Sequence, residues 1–74
     1  MILSELTFGQ KATITAVEHS SPSLVSRIMA LGLVPGEQVE LLHRAPLGDP
    51  LQIKAGSTYI SVRRADSSCI SISL

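Results

Sequence analysis

Aromatic side chains are nearly missing: Phe8 and Tyr59 are the two in 74 residues, and tryptophan is absent. Surfaces that hold single-stranded nucleic acid stack successive bases on aromatic rings. Tyr59, with Lys54 and Arg63 on neighbouring strand positions, is too little for that. Charge of one sign is also lacking. Six basic residues cancel six acidic ones, and the longest like-charged run is Arg63-Arg64. That excludes the basic stripe of a domain held on nucleic acid, and equally an electrostatic membrane anchor. Cys69 is the one cysteine, so no internal disulfide forms and the expected setting is a reducing cytosol. No apolar run approaches the ~18 residues of a membrane span, and no basic n-region with an apolar h-region opens the chain. The expectation is a soluble, cytoplasmic protein without direct membrane insertion. A glycine-rich phosphate loop is absent, as are metal-ligand spacings such as C-x-x-C, H-x-x-x-H or E-x-x-H.

What is present is short-range order. A chain of this length folds as one domain, residues 1–74, and buries only about 60–65% of its unfolded surface. The core must therefore draw on nearly all the leucine, isoleucine and valine. Leu24, Val25, Ile28 and Leu31 recur at i, i+1, i+4 and i+7, one apolar face of a helix. Ser21 and Pro22 suit its N-cap and first position. Gly32 falls at the left-handed residue that ends such a helix, with Leu33 behind it to pack on Ile28. Pro35 and Gly36 then have the chemistry of a type II turn between Val34 and Glu37. In six residues the chain leaves a helix, reverses and enters a strand.

The flanking segments read as strands. Ahead of the helix, Ser4 is placed to cap a turn at 4–6 and Phe8-Gly9 forms a loop tip. Ala12, Ile14 and Ala16 then alternate with polar residues between Gln10 and Glu18. Beyond the helix, Val39 and Leu41 share one face of a strand over 37–44, with His43 continuing it, while Glu40, Leu42 and Arg44 point the other way. Pro46 and Gly48 fit a type I turn, and Pro50 holds Asp49 extended. Gly56-Ser57 suits a type II′ hairpin that pairs Ala55 with Thr58, Ile53 with Ile60 and Leu51 with Val62. That register puts every apolar residue of both strands on one face, so turn chemistry and alternation agree. After a short connection over 64–68, Ile70, Ile72 and Leu74 point inward and Cys69, Ser71 and Ser73 outward. The expected fold is mainly β with one short helix. Five strands with one apolar face each argue for a small closed or nearly closed barrel, since closure removes exposed edges.

With these segments placed, the chain resembles the FeoA family of the bacterial ferrous iron uptake system. The resemblance lies in Arg27-Ile28-Met29-Ala30-Leu31-Gly32-Leu33-Val34-Pro35-Gly36, in Arg44-Ala45-Pro46-Leu47-Gly48-Asp49-Pro50, in Ile60-Ser61-Val62-Arg63-Arg64-Ala65-Asp66 and in Ile70-Ser71-Ile72. It implies an SH3-like β-barrel and an accessory or regulatory role beside the FeoB membrane permease, whose cytosolic part carries a GTP-binding domain. A similar barrel ends the iron-dependent repressors, but this chain has no room for a helix-turn-helix. The resemblance carries across no catalytic, cofactor or metal residue.

The donors His19, His43, Cys69 and six carboxylates lack any ligand spacing, so no metal site and no cofactor is expected. The serines alternate with apolar residues as exposed strand positions do, without a base and its orienting carboxylate, so the chain is not read as an enzyme. Cys69 has no flanking base to activate it. Leu47 admits two placements: tucked into the core, or at an apolar loop tip beside Arg44, Lys54 and Arg63, which would make a docking anchor with a charged rim. The candidate partner-binding residues are thus Arg44, Leu47, Asp49 and Arg63, and Gly32, Pro35, Gly36, Pro46, Gly48 and Pro50 are structural. The function expected is protein-protein contact with the permease; a small SH3-like nucleic-acid-binding or metal-binding module is the alternative. Oligomeric state is left open.

Overall fold

In a computed structural model that describes residues 1–74, five antiparallel strands form one sheet in the order β4-β3-β2-β1-β5. The elements are β1 (Lys11–Val17), α1 (Pro22–Ala30), β2 (Gln38–Arg44), β3 (Leu51–Ala55), β4 (Thr58–Val62), α2 (Arg64–Ser67) and β5 (Ile70–Ser73). The sheet curls around its apolar face as a small SH3-like barrel, left open between β4 and β5. All five strands send residues into one core of 16, together with Leu3, Leu6, Ile28, Leu33 and Cys69 from outside them. At about 1.5–3 kcal/mol for each large aliphatic side chain buried, this cluster is the main force holding the sheet curled.

The helix is built as its sequence demands. Ser21 Oγ accepts the Leu24 N–H at 3.4 Å, and Gly32 follows the C-cap at φ +102°. Leu33 behind it is fully buried, while Gly36 at φ +92° and the Glu37 N–H to Val34 carbonyl bond (3.0 Å) close the type II turn. Leu31, expected on the buried face, is 48% exposed, because the helix ends there and Leu33 fills the space instead. The β3–β4 hairpin has the expected register throughout, with Gly56 at φ +60°.

Two bulges shift what the alternation predicts. In β1 the register with β5 slips between Ile14 and Ala16, so Ala16 faces Ser71 and Val17, paired with Ile70, turns to the core instead. In β2 it slips between Leu41 and His43. His43 therefore pairs with Gln52 on the outer face and is exposed, while Arg44 pairs with Leu51 on the core side. One extra residue in a strand inverts every side chain beyond it.

Four smaller expectations are also corrected. The turn at the start is a 3₁₀ turn at Leu3–Glu5 with no side chain capping it, and Glu5 Oε1 accepts the Ile2 N–H at 2.7 Å in place of the cap expected of Ser4. The 64–68 connection contains α2, whose polar sequence has no apolar period to betray it. Cys69 is buried, because the turn after α2 directs it inward before the strand begins. Leu74 lies beyond the end of β5 and is exposed.

Candidate partner-docking surface

The loop from Ala45 to Pro50 stands at the end of β2 and β3. Pro46 occupies the second position of its turn, and the Gly48 N–H donates to the Ala45 carbonyl at 2.8 Å. Leu47 takes the third position at φ 71°, ψ 9°, the left-handed geometry of a type II turn rather than the type I turn expected. It is the one non-glycine residue at positive φ in the chain. Its side chain is 101% exposed, so of the two placements open to it the structure takes the tip. A leucine held in left-handed geometry costs roughly 1–2 kcal/mol, and here no burial offsets that cost.

The loop is pinned from beneath. Asp49 Oδ1 accepts the Arg64 backbone N–H at 3.0 Å, so an acid from the loop caps the start of α2. The Arg64 guanidinium lies over Gly48, 4.0 Å from where a Cβ there would sit. Beside the loop a groove of about 320 Å³ is lined by Asp49, Pro50, Ser61 and Arg63. Leu47, Asp49 and Arg63 thus fall in one region as the sequence proposed, joined by Ser61, which alternation had marked only as an outward strand residue.

Arg44 belongs elsewhere. The bulge turns it inward at the barrel mouth, where its Nη2 donates to the carbonyls of Ser4 and Leu6, both at 2.6 Å. These carbonyls flank the turn that carries Leu3 and Leu6 into the core, so Arg44 fastens the plug of the barrel. The expectation of an outward Arg44 on the charged rim is corrected accordingly. Lys54 is also distant from the rim: it stands three residues up β3, between Glu40 on β2 and Tyr59 on β4, with Nζ 5.9 Å from the Tyr59 ring centre. A second groove of about 230 Å³ there is lined by Lys11, Glu40 and Lys54, which alternate in sign across three strands as cross-strand pairs commonly do.

Metal donors stay apart. No three side chains among His, Cys, Asp and Glu come together. His19 Nδ1 accepts the Ser21 N–H at 2.9 Å, a turn contact beside α1.

A model of the FeoA domain matches residues 1–74. The chain belongs to the FeoA family. It is 35% identical, over all 74 residues, to a Porphyromonas gingivalis fusion of Fe(2+) transport protein A with the Fe(2+) transporter FeoB, and spans 9% of that protein. Iron(II) transport protein A of Clostridium thermocellum has a similar structure, with a TM-score of 0.92 and 36% identity; all of this chain matches 45% of that one. FeoA of Stenotrophomonas maltophilia, described as a prokaryotic SH3 domain protein and solved with zinc, superposes with a TM-score of 0.85 at 29% identity, over 99% of this chain and 89% of that one. The FeoA chain thus spans less than half the length of the first two proteins. A manganese-dependent transcriptional repressor, 12% identical with a TM-score of 0.89 over 35% of its length, shares the fold alone.

Proposed function

We propose that this FeoA domain is a cytoplasmic, non-catalytic accessory of ferrous iron transport that binds the cytosolic part of a FeoB-type permease. One observation carries the choice of partner: in the Porphyromonas gingivalis relative a similar domain and the transporter share a chain. Such a fusion raises the effective concentration of two modules that work together.

The surface proposed for the contact is the Leu47 tip with Asp49 and Arg63 around the adjoining groove. A fully exposed leucine held at a sterically costly backbone angle is best accounted for by a partner that covers it. Covering it would contribute roughly 1.5–3 kcal/mol. Pro46 and Pro50 stiffen the loop, which lowers the ordering cost of docking. The contact region thus comprises Leu47, Asp49 and Arg63, with Arg44 serving to hold the barrel mouth behind them.

Calorimetric titration of the permease's cytosolic part into this chain, with and without GTP, tests the reading. Saturable one-to-one binding is expected. An absence of heat and of co-elution under both conditions would overturn it.

A further inference from the structure

The two outer edges of the sheet are treated differently. Along β5 the edge is closed by the N-terminal residues: Ile2 bridges Ser71, and the Ile72 N–H donates to the Met1 carbonyl at 2.8 Å. β4 pairs with β3 on one side only. In its hairpin register Thr58, Ile60 and Val62 turn their backbone groups toward β3, whereas those of Tyr59 and Ser61 turn outward. No backbone hydrogen bond outside the β3 ladder involves any residue from 57 to 62.

Proteins usually blunt such an edge with a lysine, a proline or a bulge. β4 reads Thr-Tyr-Ile-Ser-Val, without charge or proline, and its pairing with β3 runs without a slip. Tyr59 and Ser61 are exposed along it. The edge also leads directly into the groove of Asp49, Pro50, Ser61 and Arg63.

We infer that the edge of β4 is a strand-addition site, on which an extended segment of the partner protein pairs with Tyr59 and Ser61 as a sixth strand. This deepens the function proposed above and rests on it. Main-chain bonds to the Tyr59 and Ser61 amides and carbonyls supply affinity, and the side chains flanking the edge supply selectivity. Arg63 and Arg64 stand exposed at one end of the edge, and the nearby Asp49 already accepts the Arg64 N–H. The segment that fits therefore carries an acidic residue at that end and small or apolar residues opposite Ile60 and Val62, at the open side of the barrel. A second copy of this chain fits less well. Two such edges pair over only about 17 Å of strand, a ribbon that buries on the order of a few hundred Å², short of the ~1,200 Å² that a stable dimer buries. In antiparallel self-pairing Arg63 would face the Gly56-Ser57 turn of the other copy, where the Glu37 carboxylate stands, so dependence on the concentration of this chain is what separates the two occupants.

Amide exchange read by NMR, with the permease's cytosolic part as probe, tests this directly. In the free chain the Tyr59 and Ser61 amides should exchange fast while those of Ile60 and Val62 are protected; in the complex all four should be protected. Ser61→Pro removes an outward N–H that β3 does not use, and should weaken binding roughly tenfold. Ser61→Ala keeps the N–H and should weaken binding far less than Ser61→Pro does, and thermal melts check that both variants fold. Binding that leaves the Tyr59 and Ser61 amides unprotected overturns strand addition while sparing the Leu47 contact. If Ser61→Pro does not fold, the protection pattern of the parent decides alone. Protection that rises with the concentration of this chain by itself makes the occupant a second copy and overturns the proposal. Failure of the parent chain to bind overturns both readings.

Discussion

Asp49 caps α2 from across the chain, its Oδ1 3.0 Å from the Arg64 N–H, and so locks the Leu47 loop to the segment that joins β4 to β5. The tip is thereby held as part of a rigid rim, although its own side chain touches nothing. Asp49→Ala should cost about 1 kcal/mol, the usual worth of a helix cap, and Asn at this position should recover most of it. For a domain this small that is a fall of about 4–8 °C in Tm, measurable by calorimetry. An unchanged Tm in Asp49→Ala would mean that the loop is not tied to α2.

Arg44 makes a stronger prediction. Arg44→Met keeps the stem but leaves the Ser4 and Leu6 carbonyls without their charged donor. Hydrogen bonds to charged groups are worth about 1.5–3 kcal/mol, so the urea midpoint should drop clearly. A midpoint equal to that of the parent would place Arg44 back on the solvent face.

Gly32 tests the helix end without a steric complication, because nothing lies within 4 Å of where its Cβ would be. Gly32→Val should therefore destabilise through backbone geometry alone, by roughly 1–2 kcal/mol or more at φ +102°. A chemical melt indistinguishable from that of the parent would remove the left-handed residue from the account.

The hairpin shows why some of this was readable in advance. Gly56-Ser57 fixes one turn type, that turn fixes the register, and the alternation on both strands agrees with it. Gly32, Pro35 and Gly36 were legible for the same reason: each sits where local geometry leaves few alternatives. The bulges were not legible, since nothing in Leu41-Leu42-His43 marks an extra residue and the period-two pattern runs through it. That slip is what moved Arg44 to the core side and His43 out. The loop-tip placement of Leu47 was one of the two the sequence offered, but its left-handed backbone was not legible, because leucine rarely adopts that geometry and Pro46 with Gly48 fits a type I turn. The cap on α2 is a contact between residues 15 apart in sequence, which no local pattern records.

Metal binding yields to a simple titration. The Stenotrophomonas maltophilia relative was solved with zinc, whereas the donors of this chain do not converge. Zinc or ferrous ion should therefore give no stoichiometric site tighter than about micromolar, since such a site needs several ligands together. A one-to-one isotherm abolished by His43→Ala would contradict this.

The central claim, that Leu47 is exposed for a partner, is tested most directly by Leu47→Gly. Glycine relieves the left-handed strain but loosens the unfolded chain, so the two effects nearly cancel and Tm should stay within about 2–4 °C of the parent. Binding to the permease's cytosolic part, measured by calorimetry on the same samples, should fall by at least roughly tenfold with the loss of the leucine's buried area. A folded Leu47→Gly chain that binds as tightly as the parent would contradict the account.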